Sequence, residues 1–316
     1  MATPVFLTID TELMWRHHAA GLASDDIATR SIEPAGVGVA YQLNVLAQHG
    51  LKATFFVDPM PALVHGLDHV RAVVAAILAA GQEVQLHLHP NWTGASADDR
   101  TAHGRFELID YSAHEQRTLI AGARDLLMAA GAPAPVAFRA GSYAANDDTL
   151  AALTALGFVY DSSHNGAHHP WPSAVSLDAR RIAPIAHGGV IEVPVTLIDD
   201  GAGTRHFQLC ALSAAEMRDA LDHAVTHAHA AVTIVSHGFE LANRAGTRAN
   251  GVHVRRFEAL CRMLEARADV LPTTHFADRP ALRLGCADAP LPSKALRTRW
   301  RQAEQLWSNL VEERAA

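Results

Sequence analysis

Four short stretches of the chain carry residue types suited to metal-assisted or acid–base chemistry. Thr8-Ile-Asp-Thr-Glu12 sets Asp10 and Glu12 two apart on a β-type run, so both carboxylates face one side. Like charges this close need a metal ion, a cationic partner or a shared proton. His87-Leu-His89 repeats the spacing with imidazoles, and two imidazoles with one carboxylate make three protein ligands that leave a position for water. Arg139, in Phe138-Arg-Ala-Gly-Ser-Tyr143, can hold a carboxylate in its ionised form through a bidentate pair. The glycine of that stretch lets the backbone come close to a ligand. Ile234-Val-Ser-His237 delivers a histidine to the tip of an apolar strand, a fitting place for a general acid or base. The chain holds 20 histidines, so His-x-His pairs also arise by chance. His227 and His229 are one such pair. They fall on a predicted helix, where i and i+2 do not share a face. The pair is an internal control with no site expected.

The elements that must position these residues alternate. Strand-type runs cover 5–10, 52–57, 83–89, 136–139, 158–160, 190–195 and 231–236. Helical spacing covers 37–50, 67–80, 112–130, 147–156, 213–230 and 253–267. Gly50, Gly81, Gly131 and Gly157 stand at helix ends, and Ser112 with Glu115 makes a capping box. Seven strands with intervening helices predict a parallel α/β sheet, closed or doubly wound. In a parallel barrel, functional groups sit at the C-terminal ends of strands. Asp10, His87, His89, Arg139, Asp161 and His237 all fall at or just past such ends. Residues 281–316 read differently: a Pro-containing linker, then an amphipathic helix with Leu296, Trp300, Ala303, Trp307 and Leu310 on one stripe. Such a stripe is expected to dock on its own domain, a homodimer contact being the other option.

Composition narrows the class. The chain has 316 residues, 49% hydrophobic and 19% charged, with a formal net charge of -7. That is enough apolar material for a large core, and no basic excess invites nucleic acid or an anionic membrane surface. No apolar run is long enough to span a bilayer. The N-terminus has no signal-peptide core, so the expected compartment is the cytoplasm. Cys210, Cys261 and Cys286 are too scattered for a disulfide framework or a zinc knuckle. Glycine-rich phosphate loops and the G-x-S-x-G elbow are missing.

Taken in order, the motifs resemble the polysaccharide deacetylase family, the NodB-homology or carbohydrate esterase type. The acidic strand end is Thr8 to Glu12, and K-A-T-F-F-V is present as Lys52 to Val57. Gly81-Gln-Glu-Val-Gln-Leu-His87 matches G-x-E-[IV]-x-x-H. Phe138 to Tyr143 matches the arginine motif, Gly157 to Ser163 a G-[FY]-x-Y-D-S-S segment, and Ile234 to His237 the late strand. The resemblance spans about residues 3–280 and implies a distorted, seven-stranded (β/α) barrel, TIM-barrel-like, with 281–316 as a C-terminal helical extension. Two departures stand out. Thr11 occupies the place of the second of two adjacent aspartates, and the usual H-x-x-x-H spacing would put the second histidine at Asn91. The ligand is therefore carried onto His89, because imidazole binds zinc far better than an amide does.

The resemblance implies one divalent metal ion, zinc by preference, held by Glu12, His87 and His89, with Asp10 as base, Arg139 as its partner and His237 as acid. Asp10 and Glu12 could exchange roles. Trp92, Tyr143 and Asp161 fall on the substrate side. The implied activity is removal of an acyl group, acetyl above all, from an amino sugar in glycan or cell-surface polysaccharide metabolism. The other readings are hydrolysis of a non-sugar C–N amide bond on the same barrel, or an inactive barrel that binds a glycan.

Overall fold

The computed structural model describes residues 2–97 and 105–313. Among these residues ten strands form: β1 (Val5–Thr11), β2 (Thr54–Val57), β3 (Glu83–Leu88), β4 (Ala137–Ala140), β5 (Tyr160–Asp161), β6 (Ile185–His187), β7 (Val190–Glu192), β8 (Leu197–Asp199), β9 (Thr204–His206) and β10 (Val232–His237). The main sheet runs β10-β1-β2-β3-β4-β5-β7-β6, and β8 pairs with β9 separately. Seven of its strands are mutually parallel, the number expected; β6 is an added antiparallel edge on β7. No periodicity marks β6, β8 or β9, each only three residues long.

The strands alternate between two apolar environments. Val5, Leu7 and Ile9 pack outward into a core shared with Phe55, Leu86, Phe138, Ile234 and the surrounding helices. Phe6 points the other way, into a cluster with Phe56, Tyr160 and Phe276. Phe276 stacks on Phe6 at 4.4 Å between centroids and closes the N-terminal end of the barrel with aromatic rings. The same inward register carries Thr8, Asp10 and, past the strand, Glu12 toward the C-terminal end. A period of two thus sorts one strand into core, plug and chemistry.

The sheet is curled into a half-barrel. In a flat sheet β1 and β4 would stand three strand spacings apart, about 14 Å. Instead Nη1 of Arg139 on β4 donates to Oδ1 of Asp10 and to Oγ1 of Thr8 on β1, both at 2.7 Å. Between β7 and β10 the ladder stops. Pro194 lacks the N–H a longer β7 would use, and isolated contacts bridge the gap: Thr196 N donates to Thr233 O at 3.2 Å, and Leu209 N to Val235 O at 3.0 Å.

Helix ends follow the capping chemistry. Ser112 accepts from Glu115 N, Asn146 from Thr149 N and Ser213 from Glu216 N. The C-terminal helix Ala295–Trp307 docks, but not by its apolar stripe. Buried Arg301 bonds Glu216 at 3.1 Å, Arg256 bonds Glu304 at 2.9 Å, and Asn250 bonds Ser308 at 2.9 Å. This polar anchor sets the helix rotation. Trp300 and Trp307 stand one residue before Arg301 and Ser308, about 100° around the helix, so the stripe faces outward: Leu296 is 81% exposed, Trp300 59%, Trp307 57% and Leu310 50%. No helix among the described residues is long and apolar enough to cross a membrane.

Candidate active site and metal centre

The strand register builds the site. Asp10 lies opposite His237 in the β1–β10 ladder, and His87 opposite Arg139 in the β3–β4 ladder. Glu12, His87 and His89 converge, with one ligand atom from each lying within 4.8 Å of the others, a spacing at which the three could hold a metal ion. Glu12 Oε2 touches His89 Nε2 and lies 3.8 Å from His87 Nε2. His87 Nδ1 donates to the Arg139 carbonyl at 2.8 Å, which fixes the tautomer and aims Nε2 at the other two ligands. His89 lies just past the end of β3, on an extended residue before the turn at Pro90–Trp92. Its ring fits against the next loop because residue 141 is glycine; a Cβ there would overlap the imidazole. The glycine of the arginine motif thus makes room for a ligand side chain of the protein itself.

The charges within this group are interdependent. Burial disfavours the ionised form of Glu12, yet the adjacent His89 and then His87 bring its carboxyl down to about 2. Burial also opposes charge on His89, but Glu12 lifts it to about 9. Burial drives His87 down to about 4, leaving it neutral. Carboxylate and imidazoles therefore share one proton, which a divalent cation would displace. Two imidazole nitrogens and a carboxylate oxygen fit zinc or a similar borderline ion. Asn91, which occupies the usual second position, is outside the group.

Asp10 is 3% exposed, and its partner Arg139 is fully buried. The pair forms one hydrogen bond rather than the expected two. The rest of the guanidinium is spent on the Ser162 carbonyl (3.1 Å), the Ser162 hydroxyl (3.0 Å) and Thr8, and its plane lies 4.4 Å from the Phe56 ring centroid. On the far side of Asp10, His237 Nε2 approaches Oδ2 at 3.9 Å, and Gln208 Nε2 lies 3.2 Å from Nδ1. Burial opposes charge on this ring too. The Glu240 carboxylate outweighs it, with Asp10 and Glu12 contributing, and His237 rises to about 9.

Two residues expected on the substrate side lie buried. Trp92 is 1% exposed and sits in the core against Trp15, its centroid 5.0 Å away, and His65. It supports the loop after β3 and does not line the cavity beside His237. Asp161 is fully buried beneath the site. It accepts from the Ser163 hydroxyl at 2.7 Å, while Ser163 Oγ also accepts from Ala140 N and Ser162 grips Arg139. Burial raises the pKa of Asp161, and burial plus the neighbouring Asp161 raises that of Glu192. The Asp-Ser-Ser segment holds the arginine in place. Tyr143 lines a cavity of about 430 Å³ with His237, Phe239, Gln208, Arg16 and Arg244, joined by Gln305 of the C-terminal helix and Asn309 just past its end. Ser142 and Tyr143 both adopt left-handed backbone, φ 54° and 60°, the kind of strain that clusters at functional loops.

No motif marks three further residues of the site. Asp58 follows β2 at the same strand-end level, where burial pushes its carboxyl to about 7; the strand-end rule could have found it. Gln208 and Glu240 lie on irregular chain with no pattern to point to them.

A family model described as polysaccharide deacetylase matches residues 26–160. Over that stretch, less than half of the chain, the sequence resembles the polysaccharide deacetylases. The matched stretch carries His87, His89 and Arg139, while Asp10, Glu12 and His237 lie outside it and join the site through the ladders of β1 and β10. Among solved structures, a presumed polysaccharide deacetylase from Mycobacterium smegmatis shares the fold, with TM-score 0.57, 18% identity, and coverage of 91% of this chain and 94% of that one. A 4-alpha-glucanotransferase from Thermococcus litoralis has TM-score 0.51 and 9% identity, covering 89% of this chain and 39% of that one. A family 4 carbohydrate esterase from Streptomyces lividans, in complex with acetate, has TM-score 0.43 and 15% identity, covering 92% of this chain and 98% of that one. No curated protein sequence matches the chain.

Proposed function

We propose that the chain is a metal-dependent hydrolase that removes an acyl group, acetyl above all, from an amino sugar. The observation that carries the reading is the convergence of Glu12, His87 and His89 beside an Asp10–Arg139 pair and a histidine on the opposite strand. A zinc ion held by those three side chains would polarise the acyl oxygen and make a water acidic. Asp10 would take the proton from the attacking water. Arg139, hydrogen-bonded on every side, fixes the carboxylate in position and balances its charge. His237, whose protonated form Glu240 favours, would deliver a proton to the departing amine nitrogen. The cavity beside His237 offers Tyr143 and Phe239 as apolar walls and Arg16, Arg244 and Gln208 as polar contacts, which suits a sugar. Three unpaired thiols agree with a reducing compartment and so with the cytoplasm.

The test is elemental analysis of the purified chain together with a screen of N-acetylated amino sugars, free and polymeric, scored by acetate release. Zinc-dependent acetate release from a sugar supports the reading. Zinc-dependent turnover of small non-sugar amides alone would move the activity to another C–N bond. Bound sugar without turnover of any amide would make the barrel a binding protein.

A further inference from the structure

The control pair, His227 and His229, does not lie on a helix. The helix ends at Thr226 and His227 is its C-cap. The exit has the hydrogen bonds of a Schellman motif: His229 N donates to Ala224 O at 2.9 Å, and Ala228 N to Val225 O at 3.2 Å. In this motif the residue after the left-handed position folds back onto the last helical turn, normally as an apolar contact. Here that residue is His229, and the side chain it meets is His223, centroids 5.1 Å apart. His227 stands four residues after His223, on the same helical face, at 4.2 Å. The left-handed position is filled by Ala228, φ 47°, where glycine would be unstrained.

His229 is 3% exposed, yet neither ring nitrogen has a hydrogen-bond partner. A buried imidazole with both nitrogens unanswered is costly. His223 uses Nε2 on the Ala289 carbonyl at 3.1 Å, which leaves Nδ1 uncommitted. Asp288 lies alongside, bonded to Ala230 N through Oδ2. We propose that His223, His227 and His229 form a second metal site, for a borderline ion such as Zn²⁺, Ni²⁺ or Cu²⁺, with Asp288 near enough to complete it. Three imidazoles select such ions over Mg²⁺ or Ca²⁺. The C-terminal end of a helix is electronegative and favours a cation. Arg283 and Lys294 lie near and oppose it. Burial lowers the proton affinity of His223 and His229, so both offer lone pairs at neutral pH. The nitrogens do not converge as tightly as those of Glu12, His87 and His89; exposed His227 can turn to close the set. The trio precedes β10, whereas His237 ends it, so the two sites lie at opposite ends of a strand roughly 16 Å long.

The experiment is zinc titration of the full chain after chelator treatment, by calorimetry and by elemental analysis after dialysis. Wild type should bind two ions, His87→Ala one, and His223→Gln/His227→Ala one. Combining all three substitutions should leave none. His227 is exposed, so His227→Ala alone tests the site without threatening the fold and should weaken the second affinity at least tenfold. A tenfold excess of Mg²⁺ should leave the second ion in place. One ion in wild type that survives His223→Gln/His227→Ala, or a second ion that survives those changes, overturns the proposal. Neither result depends on the strand-end reading, because loss of one ion on changing 223 and 227 is scored whether or not His87 proves to be a ligand.

Discussion

Two regions of this protein carry the same His-x-His spacing and use it in opposite ways. At 87 and 89 the pair leaves a strand, so period two aligns both rings on the side already facing Glu12, and the neighbouring ladder supplies a carbonyl that orients one of them. At 227 and 229 the pair straddles a helix end, where period two means nothing, and a left-handed alanine brings the second ring back over His223. The first arrangement is rigid and surrounded by charge. The second depends on one turn. Spacing in sequence therefore has chemical meaning only once the element beneath it is known, and the boundary of an element can matter as much as its type.

Several substitutions would break or sharpen this contrast. The largest effect is expected from His87→Ala, which should abolish binding of the strand-end ion and bring acetate release to background; full metal retention would remove His87 from the ligands. Next comes His237→Ala. It should keep its metal and lose about 10²–10⁴-fold in kcat/KM, the usual span for a general acid or base, and an unchanged rate would end that assignment. Arg139→Ala strands Asp10 in a buried pocket, so chemical denaturation should report a loss of about 3–5 kcal/mol. Arg139→Lys should recover part of it, since an ammonium can replace the charge but not the contacts to Ser162 and Thr8. A loss under about 1 kcal/mol would mean the pair is not the buried anchor described.

A smaller and more specific effect concerns pH. Glu240 favours the protonated form of His237, so Glu240→Gln lowers that pKa from its raised value of about 9. A general acid works only below its pKa, and the basic limb of the kcat/KM profile should then move to lower pH. An unmoved limb would detach that limb from His237. The smallest effect is expected at Ala228→Gly, which relieves the left-handed strain and should raise stability by about 1 kcal/mol or less in thermal unfolding, with no change in acetate release. Destabilisation there would show that the turn is held by something other than its capping bonds.

Much of the site is legible in the order of residues because strands impose a simple rule. Asp10, Glu12, His87, His89, Arg139 and His237 sit on or just past apolar runs whose period fixes which side they face. The parallel α/β order follows from alternating periodicities and glycine stops. Beyond the reach of the residues alone is everything that depends on contacts between distant segments. The curl of the sheet brings Arg139 across three strand spacings to Asp10, and local patterns carry no information about curvature. Trp92 and Asp161 have the right types and positions for a substrate wall, yet neighbouring packing covers both. The apolar stripe of the last helix turns to solvent because a buried arginine on another face finds two carboxylates, Glu216 and Asp200. Amphipathicity predicts a buried face only when no stronger anchor sets the rotation. Gln208 and Glu240 enter the site from irregular chain, placed by the strands around them. Sequence determined which side chains could do chemistry and which way each strand presented them; tertiary structure decided which of them meet, because burial and charge balance are properties of the assembled neighbourhood.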